Sequence, residues 1–301
     1  MFTKMQAFIP ARHLLASVTR SLHSNDQEIK WFQDISLIVL MVTSLTFFLF
    51  ASPPQTYAAT VSHTMAANIS CGNLSTGHCY GRQDWFGGTI GSKTDIKVVQ
   101  LTCNGSCQST GFLDNEMWLI DGQTSSCFSN MFGNCWVEGG YLYDGYCGFC
   151  YFWADVRPVD GNNLNLHYLY PTPNHMSPNR DIGHSMRISI YEQGTHRFEV
   201  DFAVQGCSFN CSANATFYST NNTMVPNDVH IGTELSGVGS NNSNWGAPRA
   251  DYTNNYWKNG AGWQGQTYGN GPGMFQQSPP YINGTYGSLG GTGGDFYTNC
   301  C

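Results

Sequence analysis

Charge is scarce in this sequence. Asp, Glu, Lys and Arg make up 11% of the 301 residues, and Lys and Arg number only 13. Lys4, Arg12, Arg20 and Lys30 lie in the first thirty residues, so residues 59–301 keep 9 Lys+Arg against 17 Asp+Glu, a net of −8 by subtraction. Neither a basic stripe nor an Arg-rich helix is present, which argues against a nucleic-acid partner held through phosphates. Sequence able to hold a helix is equally thin, because Gly, Asn, Ser, Thr and aromatic residues fill most of the chain. A nucleophile elbow of the Gly-x-Ser-x-Gly type is missing. His167, His175, His184 and His196 have no His-x-x-x-His spacing, so neither a metal centre nor a cofactor is expected. A repeat of fixed period is also missing.

Two kinds of residue are concentrated. Ile35 to Ala51 forms an almost unbroken apolar run, followed by Pro53-Pro54 and by Thr56-Tyr57-Ala58, which has small residues where a signal peptidase needs them. Residues 1–58 are therefore expected to be a signal peptide with a long n-region, or alternatively an uncleaved membrane anchor spanning 35–51. All twelve cysteines follow this segment. In an exported chain that count reads as a disulfide set; Cys103/Cys107, Cys127/Cys135 and Cys207/Cys211 are spaced to staple loops, and Cys147-Gly-Phe-Cys150 reads as structural. The expected location is extracellular, with protein, peptide or polysaccharide as partner.

From about Asp95 onward, short apolar-polar alternations recur between Gly, Asn, Asp and Pro turns. They predict strands over 96–103, 116–121, 135–141, 151–156, 164–170, 186–191, 197–204, 215–219 and 229–235, the pattern of an all-β antiparallel sandwich. Residues 59–94 read as a Cys-containing lead-in. Residues 95–301 read as one domain whose Gly/Asn/aromatic-rich C-terminal part consists largely of loops, with one further strand at Asp251–Trp257.

After the N-terminal segment only five glutamates remain: Glu116, Glu138, Glu192, Glu199 and Glu234. Glu138 lies in Cys135-Trp-Val-Glu-Gly-Gly-Tyr141 and Glu234 in Val229-His-Ile-Gly-Thr-Glu-Leu-Ser-Gly237. Both are strand-like runs in which an ionised carboxylate needs a partner or a purpose. Trp136 shares a face with Glu138, and Tyr151, Trp153 and Asp155 share a face on the following strand, so an aromatic, acidic groove is expected, with an exposed aromatic ladder as the alternative. Glu116 reads as a strand opening, Glu192 as a turn residue and Glu199 as a solvated position.

The order Glu116-Met-Trp-Leu-Ile-Asp-Gly122, Trp136-Val-Glu-Gly-Gly-Tyr141, Tyr151-Phe-Trp-Ala-Asp155 and a late Glu234 resembles the glutamic peptidases, both eqolisins and neprosin-like enzymes. The likeness covers about residues 95–260 and is close at residue level only in the Trp-x-x-Asp-Gly element. It implies a jelly-roll sandwich that hydrolyses peptide bonds at acid pH. Glu138 would stand where eqolisins carry a catalytic Gln, and Glu234 would be the catalytic Glu. Trp118, Asp121, Trp136, Tyr151, Trp153 and Asp155 would support them or bind substrate. Two other readings are open from the residues themselves. One is a carbohydrate- or surface-binding sandwich using Trp136, Trp153, Trp245, Trp257 and Trp263 as stacking faces, and the other is a two-carboxylate glycosidase.

Overall fold

A computed structural model describes residues 67–68, 77–104, 111–124, 127, 133–161, 163–170, 175–237, 244–266, 274–278, 281–286 and 294–301. The expected export segment, residues 1–58, lies outside the described residues. Among the described residues no helix is long and apolar enough to cross a membrane.

The alternating segments form two sheets stacked as a sandwich. Strands are numbered in chain order. The first sheet runs in the order β1 (Ala67–Asn68), β15 (Met274–Gln277), β2 (His78–Phe86), β12 (Asp228–Ser236), β5 (Phe112–Asp121), β6 (Cys135–Asp144), β7 (Gly148–Val156) and β8 (Asn165–Leu169). The second runs β11 (Ala215–Thr220), β10 (Arg197–Gln205), β9 (Ser185–Glu192), β3 (Gly91–Lys97), β13 (Trp245–Asn259), β17 (Phe296–Cys300) and β16 (Ile282–Tyr286), with β4 (Thr102–Cys103) and β14 (Gly262–Gly265) also pairing with β13. Every pairing except that of β1 with β15 is antiparallel. The short helix α1 (Pro178–Asp181) packs against β7.

Period-two alternation sends one set of side chains from each strand into the space between the sheets. Leu113, Met117 and Leu119 of β5, Val137 and Tyr141 of β6, and Val229, Ile231 and Leu235 of β12 meet Ile188, Ile190, Val200, Phe202 and Tyr252 from the second sheet. Gly139 lets the sheets close up, since a Cβ there would lie 3.1 Å from the Phe202 ring.

A buried polar network joins the sheets in the middle of this core. Thr233 donates to the side-chain oxygen of Asn115 at 2.6 Å, the Asn115 amide donates to the Tyr141 hydroxyl at 3.1 Å, and Tyr252 also hydrogen-bonds to Asn115. Buried polar groups of this kind are stable only when every member finds a partner, so the network fixes β5, β6, β12 and β13 in one register.

Three segments differ from the sequence expectation. In place of a strand over 96–103 the chain forms β3, which ends at Lys97, and the separate short β4 at Thr102–Cys103. His78–Phe86 is a nine-residue strand in the body of the first sheet. Arg82, Gln83 and Asp84 interrupt its alternation, yet Gln83 and Asp84 are buried where the strand pairs with β12 and β15, and Asp84 is offset by Arg82 at 2.8 Å. The Gly/Asn-rich C-terminal part contributes β13 to β17, among them the long β13 beside β3.

Disulfides join Cys127 to Cys135, Cys147 to Cys150, Cys207 to Cys211 and Cys300 to Cys301, and Cys79 and Cys103 are also disulfide-bonded. Cys107, the expected partner of Cys103, lies outside the described residues.

Candidate active site

The outward face of the first sheet carries a groove of about 800 Å³. Strand register lays its side chains out in rows perpendicular to the strands. One row is Leu166, Ala154, Glu138, Trp118, His230 and Asp84. The next is Tyr168, Phe152, Gly140, Glu116, Gly232 and Arg82, and the third is Cys150, Leu142, Asp114, Glu234 and Tyr80. Glu138 and Glu234 therefore share a face, two strands and two rows apart, and Glu116 stands between them.

Glycine makes room for that central acid. Gly140 and Gly232 lie directly opposite Glu116 on its two neighbouring strands. A Cβ at 140 would lie 2.6 Å from the Glu116 Cβ and 2.4 Å from the Asn115 carbonyl oxygen, and one at 232 would lie 2.1 Å from the Gly81 carbonyl oxygen. With no side chain on either flank, Glu116 forms the floor of the groove.

Three carboxyls, Asp114, Glu116 and Glu234, thus crowd one desolvated place, with Glu138 at its border. Asp114, Glu116, Glu138 and Glu234 are each more than nine-tenths buried, and one carboxylate oxygen from each of Asp114, Glu116 and Glu234 can be found within 4.8 Å of the others. Like charges in a low-dielectric site cannot all ionise. Burial first, then the charges of Glu234 and its other neighbours, raise the Asp114 carboxyl well above its usual range. Burial and the charge of Asp114 do the same to Glu116, and the two side chains hydrogen-bond to each other.

Glu138 is pushed up to about 8, by burial first and by the charge of Glu234 second, although hydrogen bonds from Trp118 and Trp136 work the other way. It is therefore a neutral acid at pH 7. Glu234 has a different partner, because His78 Nδ1 hydrogen-bonds to its Oε1, and that bond is the largest influence raising the imidazole pKa. The His78 side chain is half exposed at the groove edge. The two carboxyls thus have unlike surroundings, Glu138 raised by burial and Glu234 paired with an imidazole.

The far end of the same face on β12 and β2 is also titratable. His230 Nε2 lies 2.9 Å from Asp228 Oδ2 and 3.7 Å from Asp84 Oδ1. Burial pulls the imidazole down to about 4, so His230 is neutral at pH 7. Arg82 is engaged by Asp84 at 2.8 Å and lies over the Tyr80 ring.

Of the eight residues expected at the site, Glu138, Glu234, Trp118 and Trp136 line the groove. The other four do not. Tyr151 and Trp153 point into the sandwich core: the Tyr151 hydroxyl donates to Asp181 at 2.8 Å, and Trp153 stacks on His167 at 4.1 Å between ring centroids. Asp155 accepts from Ser219 and from Asn165 on that same inner side. Asp121 ends β5 and accepts from the backbone N–H groups of Gln123, Thr124 and Val225, which fastens two loops together. The physical reason is register. Glu138 faces Ala154 across the β6–β7 pair, so the residues on either side of Ala154 must point away from the groove.

Sequence reasoning passed over Glu116, Asp114, His78 and His230. The Asp114-x-Glu116-x-Trp118 spacing was the available signal, since period-two spacing puts all three on the face of Glu138 once β5 pairs with β6.

No family model matches the chain, and no curated protein matches it. Among solved structures, scytalido-glutamic peptidase with a transition-state analog inhibitor matches with a TM-score of 0.47 and 9% identity over 74% of this chain and 98% of that one. SCP-B, a member of the eqolisin family of peptidases in complex with the tripeptide Ala-Ile-His, matches with a TM-score of 0.44 and 9% identity over the same shares. An alginate lyase from Klebsiella pneumoniae matches with a TM-score of 0.36 and 10% identity over 60% of each chain. At these values the likeness is one of sandwiched β-strands alone.

Proposed function

We propose that this protein is an exported hydrolase that cleaves peptide bonds in the groove of its first sheet. The observation that supports this reading is the division of labour among buried carboxyls on one face: Glu138 keeps its proton at neutral pH while Glu234 is paired with His78. Two carboxyl groups in unlike states are what acid–base hydrolysis requires. The order of motifs from Trp118-x-x-Asp121 to Glu234, which resembles that of the glutamic peptidases, points the same way.

In this mechanism the Glu234 carboxylate takes a proton from a water that attacks the scissile carbonyl carbon, forming the new C–O bond. Glu138 gives a hydrogen bond to the developing oxyanion. Collapse of the tetrahedral intermediate breaks the C–N bond, and the proton held by Glu234 passes to the leaving amine. Burial and the negative charge of Glu234 keep Glu138 protonated.

The test is cleavage of a denatured protein between pH 3 and 9 by the wild type, Glu138→Gln and Glu234→Gln. Loss of turnover by about 100-fold or more in each variant is expected from removing an acid or base. Unchanged turnover in either would sink the mechanism.

A second reading, a sugar-binding sandwich, is favoured by one observation: Trp136 and the 71% exposed Tyr146 line the groove and offer ring faces for stacking. Pulldown on insoluble polysaccharide that survives loss of both glutamates, with no proteolysis by the wild type, would favour that reading instead.

A further inference from the structure

The groove is chemically divided along its rows. Over β2, β12 and β5 it presents Asp114, Glu116, Glu234, His78 and Arg82, with Glu138 of β6 at the border, whereas over the end of β6, β7, β8 and the residues before β8 it presents Leu142, Phe152, Leu164, Leu166 and Tyr168. Leu142 and Phe152 form, with Cys150, an apolar cluster separate from the sandwich core, and Cys147 and Tyr168 pack against it. This cluster lies on the opposite face of the sheet from the inter-sheet core. Leu164 and Leu166 remain 43% and 38% exposed at its border.

The apolar end is held in shape. The Tyr168 hydroxyl donates to Asp144 Oδ2 at 2.6 Å, and Asp144 Oδ1 accepts from the backbone N–H groups of Tyr146 and Cys147 at 2.8 Å each. The Cys147–Cys150 disulfide ties the same turn. The carboxyl at this end is therefore committed to the protein and presents no free charge to a ligand. What a ligand meets is largely aliphatic and aromatic surface, which rewards an apolar side chain and leaves sugar hydroxyls without partners.

We propose that this end of the groove is a side-chain subsite for a large aliphatic or aromatic residue of an extended polypeptide. The subsite rests on the hydrolytic reading of the same groove. Phe152 and Glu116 stand two strands apart in one row, roughly 9–10 Å at ordinary strand spacing, which an extended chain covers in about three residues. The apolar residue therefore occupies a fixed position within about three residues of the cleaved bond, always on the same side of it.

Two experiments with the full chain test this. First, cleavage sites in denatured protein are mapped by mass spectrometry for the wild type, Leu166→Glu and Phe152→Ala. Leu166 is the variant of choice because its exposure makes folding insensitive to the change, which a thermal melt confirms. The wild type should show large apolar residues enriched at one position, and Leu166→Glu should lower kcat/KM for such sites by at least about tenfold. Second, Glu234→Gln is titrated with two blocked peptides, acetyl-Gly-Ala-Phe-Ala-Gly-amide and its Phe-to-Ser counterpart, by tryptophan fluorescence. Tighter binding of the Phe peptide, weakened by Leu166→Glu, supports the subsite even if no protein is cleaved. Proteolysis without apolar enrichment, or equal binding of the two peptides, overturns the subsite and leaves the hydrolytic reading standing. Absence of both cleavage and peptide binding overturns both.

Discussion

Glu116 faces Gly140 directly across the β5–β6 pair, and a methyl group at 140 would come within 2.6 Å of the Glu116 Cβ. This pairing sets the depth of the groove, because the central carboxyl stands in space that any other residue at 140 would fill. It also accounts for the two consecutive glycines, since Gly139 meets the opposite sheet and Gly140 meets the acid.

Gly140→Ala should therefore damage both the site and the fold. The clash involves backbone atoms of β5 that cannot move aside cheaply, so a loss of about 1–3 kcal/mol is expected from overpacking. Urea denaturation measures it, and an alanine variant as stable as the wild type would contradict the trough described for Glu116.

Glu138 should make the folded state less stable as pH rises. Its carboxyl is raised from 4.5 to about 8, so the folded chain holds a proton that the unfolded chain has released. The stability it contributes is complete below about pH 4.5 and is lost progressively as pH climbs through about 8, at roughly 1.4 kcal/mol per unit inside that window. His230 acts in the opposite sense, since its depressed pKa makes stability fall as pH drops from 6.5 towards 4. Glu138→Gln should flatten the decline between pH 6 and 8 in urea titrations. A variant whose stability parallels the wild type across that range would show that Glu138 is not held protonated.

Trp118→Phe should push Glu138 further up. The indole of Trp118 hydrogen-bonds to this carboxyl and lowers its pKa, so its removal leaves burial and the Glu234 charge less opposed. In a pH–activity profile the alkaline limb, expected near pH 8 in the wild type, should move to higher pH. Carbon-13 NMR of the glutamate carboxyls reads the same shift independently of activity, and a downward movement would contradict the assigned hydrogen bond.

Tyr151→Phe separates core from groove. The lost hydroxyl donates to buried Asp181, whose other oxygen accepts from the Ser212 N–H. A destabilisation of about 1–3 kcal/mol is expected from the unpaired carboxylate, with kcat/KM on peptides unchanged at temperatures well below the melt. A selective fall in kcat/KM without loss of stability would return Tyr151 to the groove.

The primary sequence by itself determined the class of fold and the identity of two groove acids. Alternation in stretches such as Arg197–Val204 has one physical solution, a strand with one buried face, and the shortage of helix-forming residues left the sandwich as the way to bury such faces. Trp136 and Glu138 could be placed on one face because both lie on the same strand, where parity is unambiguous. Parity also grouped Tyr151, Trp153 and Asp155 correctly with one another. What it could not supply was which side of the sheet that group takes, because this depends on the pairing of Glu138 with Ala154 across the β6–β7 turn.

Only the tertiary structure decided the remainder. Glu116 looks like a strand opening until β5 is flanked by Gly140 and Gly232 from segments 24 and 116 residues downstream. His78 meets Glu234 across 156 residues of chain, and a strand rich in polar residues takes its place in the sheet body through pairing with β12 and β15. A carboxyl's proton affinity depends on how many other carboxyls share its desolvated space, and that number is set by register between distant strands.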